Sequence, residues 1–317
     1  MPLDRLKAAA CRLLAALLLG AGGPVAAEDR PSAAPFLWQV SGGRTTHYIL
    51  GSVHLLPQAA GALPAGIAQA YESAEALVFE SDIDALSSPA NTARILDAAK
   101  APRGLKSEVD AGTLAKVRAR MLDLGMPPAL CERHRPWFCA LSLELFAYQR
   151  AGFRSEFGLD RQLYDAARRS GRPIAWFEEP KMHLDLFTTM ARPLSRQFLD
   201  AALSERNPKT DEPVDMYRAW RDNDVARIIA TIAELKRDYP AVHEHLLTRR
   251  NRAWLPELKR RLALPERQLF VVGAAHWLGP DGLIVSLEAA GYRVRPYLLT
   301  DPEKSAQVPF RLQLASH

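Results

Sequence analysis

Two stretches of this sequence share one pattern, although more than two hundred residues separate them. Residues 48–57 read YILGSVHLLP, and residues 270–280 read FVVGAAHWLGP. Each is a short apolar run that ends in Gly-x-x-His and continues with an apolar pair. Histidine binds divalent ions and exchanges protons near neutral pH. The repetition therefore predicts that two strand ends supply one imidazole each, from His54 and His276, to a shared site.

Two glutamates end further apolar runs in the same way. Glu80 closes ALVFE, and Glu178 closes PIAWFE. In open α/β sheets ligands bind outside the carboxyl ends of the strands, so we expect both carboxylates to lie beside His54 and His276. Two imidazoles with one or two carboxylates suit a divalent ion of the Mn, Co or Zn type, with one position open for water. The alternative is a pair of structural histidines and two unrelated solvated carboxylates.

A glycine stands three residues before each of the two histidines, at Gly51 and Gly273. A residue without a Cβ adopts backbone conformations that other residues avoid. We expect these glycines to let the chain turn sharply out of a buried strand, so that each histidine points back over the sheet edge.

The surrounding segments predict an α/β fold with a central mixed β-sheet. Alternating or continuous apolar runs predict the strands FLWQVSG, THYILGSVH, ALVFE, PIAWFEE, QLFVVGA and YRVRPYLL. The first two read as a hairpin around Gly42-Gly43. Helical periodicity dominates between the strands near the two ends, with breaks at Pro127-Pro128 and Pro136. We expect one domain over residues 28–317, with a large helical insert or cap over about 91–263.

The N-terminus has the composition of a cleavable secretory signal over residues 1–27. A basic segment, MPLDRLKAAACR, precedes the apolar LLAALLLGAGG, and small residues stand at Val25 and Ala27. The apolar segment is too short to span a bilayer comfortably. We expect cleavage near Ala27, a periplasmic or secreted protein and no membrane span.

Cys131 and Cys139 are the two cysteines beyond this leader. In an oxidising compartment such a pair can form a disulfide, and two free thiols are the alternative. Their spacing to His134 matches no common zinc pattern. Basic and acidic residues are interspersed along the chain, without a basic stripe carrying aromatic residues, so we expect no nucleic-acid partner.

The sequence resembles the TraB/PrgY/GumN family, which is related to the Tiki metalloproteases and more distantly to erythromycin esterases and haem-binding ChaN proteins. The resemblance lies in the two Gly-x-x-His stretches, in LVFESD, in GLDRQLYDAARRSGRPIAWFEE, in Arg250-Asn251 and in VVGAAHWLGPDGLIVSLEAAGYRVRPY. It covers nearly the whole chain after the leader. One departure is His183, where the family often has glutamine five residues after the turn glutamate.

By this resemblance the protein is a metal-dependent, peptidase-like hydrolase that acts on a peptide or small-molecule substrate. His54, Glu80 and His276 would hold the ion. Glu80 or Glu178 would accept the proton of the attacking water, and Arg250 would stabilise the oxyanion.

Three alternatives stay open. The same pocket could bind haem or another ligand without turnover, as in ChaN proteins. It could hydrolyse without a metal, as in erythromycin esterases, with a histidine activating water directly. It could also be an inactive scaffold for a partner protein.

Overall fold

The computed structural model describes residues 34–60, 63–204 and 212–299. The segment 1–27, interpreted as a signal peptide, lies outside these residues, so that interpretation stays a prediction. Among the described helices, none combines the length and the apolar composition that crossing a membrane requires.

A six-stranded mixed sheet forms the centre of the fold, as the sequence predicts. Its strands run in the spatial order β6-β4-β7-β2-β1-β8. The four strands from β6 to β2 are parallel, whereas β1 is antiparallel to both of its neighbours. In chain order these strands are β1 (Leu37–Ser41), β2 (His47–Ser52), β4 (Ala76–Phe79), β6 (Ile174–Trp176), β7 (Gln268–Gly273) and β8 (Arg293–Pro296).

Burial explains why the middle strands read as continuous apolar runs. All six residues of β2 are buried, and so are the first five residues of β7. Parallel strands covered by helices on both faces need apolar side chains at every position, not only at alternate ones. Strand β8 lies at one edge of the sheet and is largely exposed.

Two short strands form a separate ladder that no sequence pattern indicated. Strand β3 (Leu56–Pro57) directly follows the His54 turn and pairs antiparallel with β5 (Phe153–Arg154). Two residues are too few to show a hydrophobic period. The ladder connects the His54 turn to the helical part of the chain.

Helices fill the segments between the strands, and most of them lie between β4 and β7. In chain order the α-helices are α1 (Ala65–Ser73), α2 (Ile83–Leu86), α3 (Pro89–Ala98), α4 (Ala111–Asp123), α5 (Ala129–Glu132), α6 (Pro136–Arg150), α7 (Leu159–Ser170), α8 (Pro180–Thr188), α9 (Arg192–Ala202), α10 (Glu212–Arg221), α11 (Val225–Asp238), α12 (Pro240–His243), α13 (Arg249–Leu262), α14 (Ala274–Trp277) and α15 (Leu283–Ala289). A π-helical turn, Glu244–Thr248, joins α12 to α13.

Prolines and glycines mark helix ends. Pro136, expected as a break, is the first residue of α6, and Pro180 is the first residue of α8. Proline is favoured there because the N–H groups of the first turn have no acceptor within the helix, so proline loses no hydrogen bond. Its φ is also already helical. Helix α7 stops at Gly171, whose φ of 67° is the left-handed conformation of a glycine C-cap.

Cys131 and Cys139 form a disulfide that links α5 to α6. Both cysteines are fully buried. Trp137 and Phe138, which also lie in α6 within the span that the bridge closes, belong to the hydrophobic core. The bridge therefore fixes the start of a helix that is buried along most of its length.

Candidate functional site

Four parallel strands end at one cleft. Glu80 directly follows β4, and His54 and Glu178 each stand two residues beyond a strand, β2 and β6 respectively. His276 lies in α14, the single turn of helix that follows β7. The structure thus brings together the four residues that the sequence placed at strand ends. Arg250 reaches the same place from α13.

Arg250 is the centre of the hydrogen-bond network. Its Nη2 donates to Glu80 Oε2 and to Glu178 Oε1, both at 2.6 Å. Its Nη1 donates to His276 Nε2 at 3.0 Å, and its guanidinium carbon lies 4.4 Å from the centre of the Trp254 ring. All these groups are buried. The guanidinium therefore compensates two buried carboxylates that would otherwise be very costly to ionise.

Both carboxylates stay ionised for this reason. Burial alone raises the pKa of each, but the Arg250 guanidinium and the neighbouring histidines together outweigh burial. The pKa of Glu178 falls to about 2, and that of Glu80 lies well below its usual range. Glu80 Oε1 also accepts a hydrogen bond from the Gly273 backbone N–H at 2.9 Å. Neither group therefore carries a proton at neutral pH in this arrangement.

His54 is held by a carboxylate. Its Nδ1 lies 2.8 Å from Asp160 Oδ2, so Nδ1–H donates and the Nε2 lone pair is left for the cleft. Burial by itself disfavours the protonated ring, but the Asp160 carboxylate outweighs burial and raises the pKa of His54 above 6.5. An imidazole oriented in this way is suited to bind a metal ion or to accept a proton.

His276 is held by an amide. Asn251 Nδ2 donates to two backbone carbonyls, those of His276 and Asp281, so its Oδ1 accepts from His276 Nδ1–H at 2.7 Å. His276 Nε2 then accepts from Arg250. Burial, with Arg250 as a further contribution, lowers the pKa of His276 to about 3 against the attraction of Glu80. This histidine is neutral at neutral pH.

The two motif glycines are required for space. We expected them to supply an unusual backbone turn, but neither Gly51 nor Gly273 has a positive φ, and Gly273 has φ −51°. A Cβ on Gly51 would lie 3.0 Å from Phe36 Cβ and 3.1 Å from Ala274. The first glycine therefore allows close packing.

Gly273 leaves an opening in the floor of the cleft. A Cβ at this position would lie 3.2 Å from Glu80 Oε1, 3.5 Å from His54 Nε2 and 3.9 Å from His276 Cδ2. Three of the predicted site residues therefore border one small space, and its existence depends on the missing side chain.

A second set of possible metal donors lies deeper. Ligand atoms of Glu80, Glu178 and His183 lie within 4.8 Å of one another, so this buried group could hold a metal ion. His183 Nδ1 is 2.6 Å from Glu178 Oε1. This set differs from His54, Glu80 and His276, which the sequence suggested as ligands. His183 is also the position at which the chain departs from the family pattern.

Sequence reasoning missed three polar residues of the site. Asp160 and Asn251 lie in stretches that carry the family resemblance, yet their hydrogen bonds to the two histidines span 106 and 25 residues. Ser52 lines the cleft, and its buried Oγ has no hydrogen-bond partner among the described residues. Sequence spacing alone gives no signal for contacts of this kind.

Comparison with known proteins agrees with the resemblance. A model of the TraB/PrgY/gumN family matches residues 36–296. The chain is 25% identical over 248 residues to the uncharacterized protein YbaP of Shigella flexneri, covering 76% of this chain and 87% of that protein. It is 24% identical over 247 residues to YbaP of Escherichia coli K12, with the same coverage. No solved structure matches significantly.

Proposed function

Because this chain belongs to the TraB/PrgY/gumN family, we propose that its cleft hydrolyses an amide or ester carbonyl with the help of a bound divalent ion. The observation that supports this most directly is the space over Gly273, bordered by His54 Nε2, Glu80 Oε1 and the His276 ring. Two imidazoles and one carboxylate around one opening are a donor set for Mn, Co or Zn.

The space over Gly273 suits an ion better than the deeper group does. In the deeper group, Glu178 accepts a hydrogen bond from Arg250 Nη2 at 2.6 Å, and its Oε1 lies 2.6 Å from His183 Nδ1. Glu80 belongs to both sets, but its Oε1, which borders the space over Gly273, is bonded to the Gly273 N–H and not to Arg250. We therefore assign His54, Glu80 and His276 as the residues that would hold the ion. His276 Nε2 would give up its hydrogen bond to Arg250 in order to bind it.

An ion held there would supply a Lewis acid for the carbonyl and would lower the pKa of a water molecule. The protein supplies the remaining chemistry. Asp160 and Asn251 fix the two rings so that both Nε2 atoms face the cleft. Arg250 Nη1 and Nη2 are the donors available to a carbonyl oxygen that gains negative charge.

Glu178 is the carboxylate that remains outside this ion set, and we propose it as the proton acceptor. Its pKa of about 2 makes it a weak base while Arg250 is bonded to it. When Arg250 turns toward the developing oxyanion, that stabilisation decreases and burial raises the pKa of Glu178. Charge movement on the substrate and proton uptake by Glu178 are then linked, and Glu178 returns this proton to the amine or alcohol that departs when the scissile bond breaks.

A metal-independent hydrolase is the second candidate, and one observation favours it. His54 has its Nδ1 on a carboxylate and its Nε2 lone pair toward the cleft, which is the arrangement of a general base. In this case Arg250 is the cation of the site, and water loses its proton to His54.

One experiment separates the two candidates. Chelator-treated protein is assayed on a peptide mixture by mass spectrometry and on nitrophenyl esters, with and without added Mn²⁺, Co²⁺ or Zn²⁺. Metal-stimulated cleavage that His54→Ala and His276→Ala abolish, but that His134→Ala outside the cleft retains, supports the ion. Cleavage that persists at full rate with chelator supports the His54 base. No cleavage under any condition contradicts both candidates.

Gly273→Ala provides a steric test of the same space. The added methyl would lie 3.2 Å from Glu80 Oε1 and 3.5 Å from His54 Nε2. We expect it to weaken binding of the ion at least tenfold, measured by calorimetry. Gly291→Ala, at a glycine with open space around it, is the control for general loss of glycine, although its positive φ adds backbone strain. Unchanged ion affinity in Gly273→Ala would contradict the assignment.

A further inference from the structure

The cleft has a polar floor and an apolar wall, and they come from different parts of the chain. The strand ends and Arg250 form the floor. The helical part of the chain supplies uncharged side chains to the wall, among them Tyr148, Phe153, Phe187, Met216, Tyr217 and Leu246. An apolar surface directly beside a few convergent polar groups is the usual composition of a small-molecule site. The wall is therefore positioned to hold whatever is attached to the reacting carbonyl.

Backbone pairing fixes this wall to His54. Strand β3 begins two residues after His54 and pairs with β5, where Pro57 stands opposite Phe153. The Phe153 ring packs edge-to-face against Tyr148 at 5.5 Å and against Tyr217 at 5.7 Å between ring centres. Three aromatic rings are thus held in place relative to the imidazole, and this geometry suits recognition of an apolar group of defined size.

The charges of the floor disfavour an acidic occupant. Arg250 is paired with both Glu80 and Glu178, so two carboxylates share one guanidinium. An acidic substrate group would compete with both carboxylates for Arg250 and, with or without a bound ion, would lose its hydration along the uncharged wall. A basic group would lose its hydration along the uncharged wall. An uncharged apolar group is not repelled by the carboxylates of the floor and loses no favourable hydration against the wall.

We propose that the substrate carries a large uncharged side chain, aromatic or branched aliphatic, on the carbonyl side of the scissile bond, and that Tyr217 determines this preference. The catalytic half of the proposal rests on the proposed hydrolysis, whereas the binding half does not. Tyr217 is half-buried in α10 and stacks on Trp220 at 6.5 Å, so it can be changed without emptying the core.

Binding is measured first, by calorimetry on the full chain with the N-acetyl amides of phenylalanine, leucine, glycine and aspartate. We expect the phenylalanine and leucine amides to bind at least tenfold more tightly than the glycine amide, and the aspartate amide to bind most weakly. Tyr217→Ala should reduce the preference for phenylalanine about tenfold. Tyr217→Phe, which keeps the ring, should retain it.

Turnover is measured next, on N-acetyl p-nitroanilides of the same four amino acids, as ratios of kcat/KM. The ratio of phenylalanine to glycine should fall about tenfold in Tyr217→Ala and stay unchanged in Tyr217→Phe. Thermal unfolding checks that Tyr217→Ala is folded. If Tyr217→Ala does not fold, the same measurements are made on Tyr148→Ala, which changes the other half-buried tyrosine of the wall.

The outcomes separate this inference from the proposed function. Preferential binding of the phenylalanine amide without cleavage of any anilide supports the apolar subsite and contradicts the hydrolase. Cleavage of all four anilides at similar rates, with similar binding of all four amides, overturns the apolar subsite and supports the hydrolase. An unchanged preference in both Tyr217→Ala and Tyr148→Ala also overturns the inference.

Discussion

The two Gly-x-x-His turns have similar local sequences but opposite electrostatic environments. His54 faces the Asp160 carboxylate, and its pKa is raised. His276 faces the Asn251 amide and the Arg250 guanidinium, and its pKa is lowered to about 3. In both, Nδ1–H donates to an oxygen and Nε2 faces the cleft. The two rings share a tautomer because each partner offers an oxygen. Their pKa values differ because the Asp160 carboxylate opposes the effect of burial at His54, whereas burial prevails at His276 and Arg250 adds to it.

Removing either histidine should have the largest effect on turnover. We expect His54→Ala and His276→Ala each to lower kcat/KM about 10²–10⁴-fold, the range for losing a catalytic acid–base group or its equivalent. Both changes should also destabilise the fold. His54→Ala leaves the buried Asp160 carboxylate without this partner, and His276→Ala leaves Arg250 Nη1 and Asn251 Oδ1 without theirs, each at a cost of about 1–3 kcal/mol.

Urea unfolding of the two alanine variants measures these losses. His134→Ala, at a half-buried histidine outside the cleft, is the control. Unchanged stability in either His54→Ala or His276→Ala would contradict the structural role of that ring's hydrogen bonds.

Arg250→Ala should lower turnover about 10²–10³-fold, the usual scale for losing one oxyanion donor. It should also reduce the free energy of unfolding by about 3–5 kcal/mol, because Glu80 and Glu178 would stay buried without their cation. Arg250→Lys should recover only part of both losses, since an ammonium lacks the planar fork. Full turnover in Arg250→Lys would rule out a role for Arg250 that depends on two guanidinium nitrogens. Kinetics and urea unfolding of the two variants provide the measurements.

Exchanging the partners of the two rings tests the comparison itself. Asp160→Asn should lower the pKa of His54, and Asn251→Asp should raise the pKa of His276. Both values are measured by NMR titration of protein from which metal has been removed with a chelator. Each change should lower activity about 10–100-fold, the range for partners that orient a ligand or catalytic histidine. Asp165→Asn, on the same helix as Asp160 but bonded to Arg161, is the control for loss of one charge. Unaltered histidine pKa values would show that these partners do not set them.

The pH dependence of stability should also differ between the two rings. The folded pKa of His276 lies below the ordinary 6.5, so the unfolded state gains a proton first and stability decreases as pH falls below 6.5. The slope is about 1.4 kcal/mol per pH unit for one group. The folded pKa of His54 lies above 6.5, so its contribution is complete below 6.5 and is lost as pH rises through the folded pKa.

These slopes are measured as differences between metal-free variants, because other buried or half-buried histidines have lowered pKa values too: His47, His134, His243 and His245. Between pH 6.5 and 5, His276→Asn should flatten the curve relative to the unsubstituted protein. His54→Asn should leave this window unchanged and flatten the curve above 6.5. A steeper curve for His276→Asn below pH 6.5 would contradict the buried neutral ring.

Much of the fold could be predicted because the signals were local. The continuous apolar runs of β2, β4 and β7 indicated buried strands, and the strand ends placed His54, Glu80, Glu178 and His276 at one edge. The ladder of β3 with β5 could not be predicted, because four residues carry no period. The reason given for the glycines was wrong, because the space around a Cβ depends on residues far away in the chain.

The sequence by itself determined which side chains stand at the strand ends, because continuous or alternating apolar residues at neighbouring positions indicate where each buried strand begins and ends. Only the tertiary structure decided what each of those side chains does. Asp160 and Asn251 fix the tautomer of the two histidines, Arg250 helps to keep two buried carboxylates ionised, and the helical wall determines what can lie beside them. Electrostatic energy depends on distance in space, and the hydrogen bonds of this site join residues up to 193 positions apart.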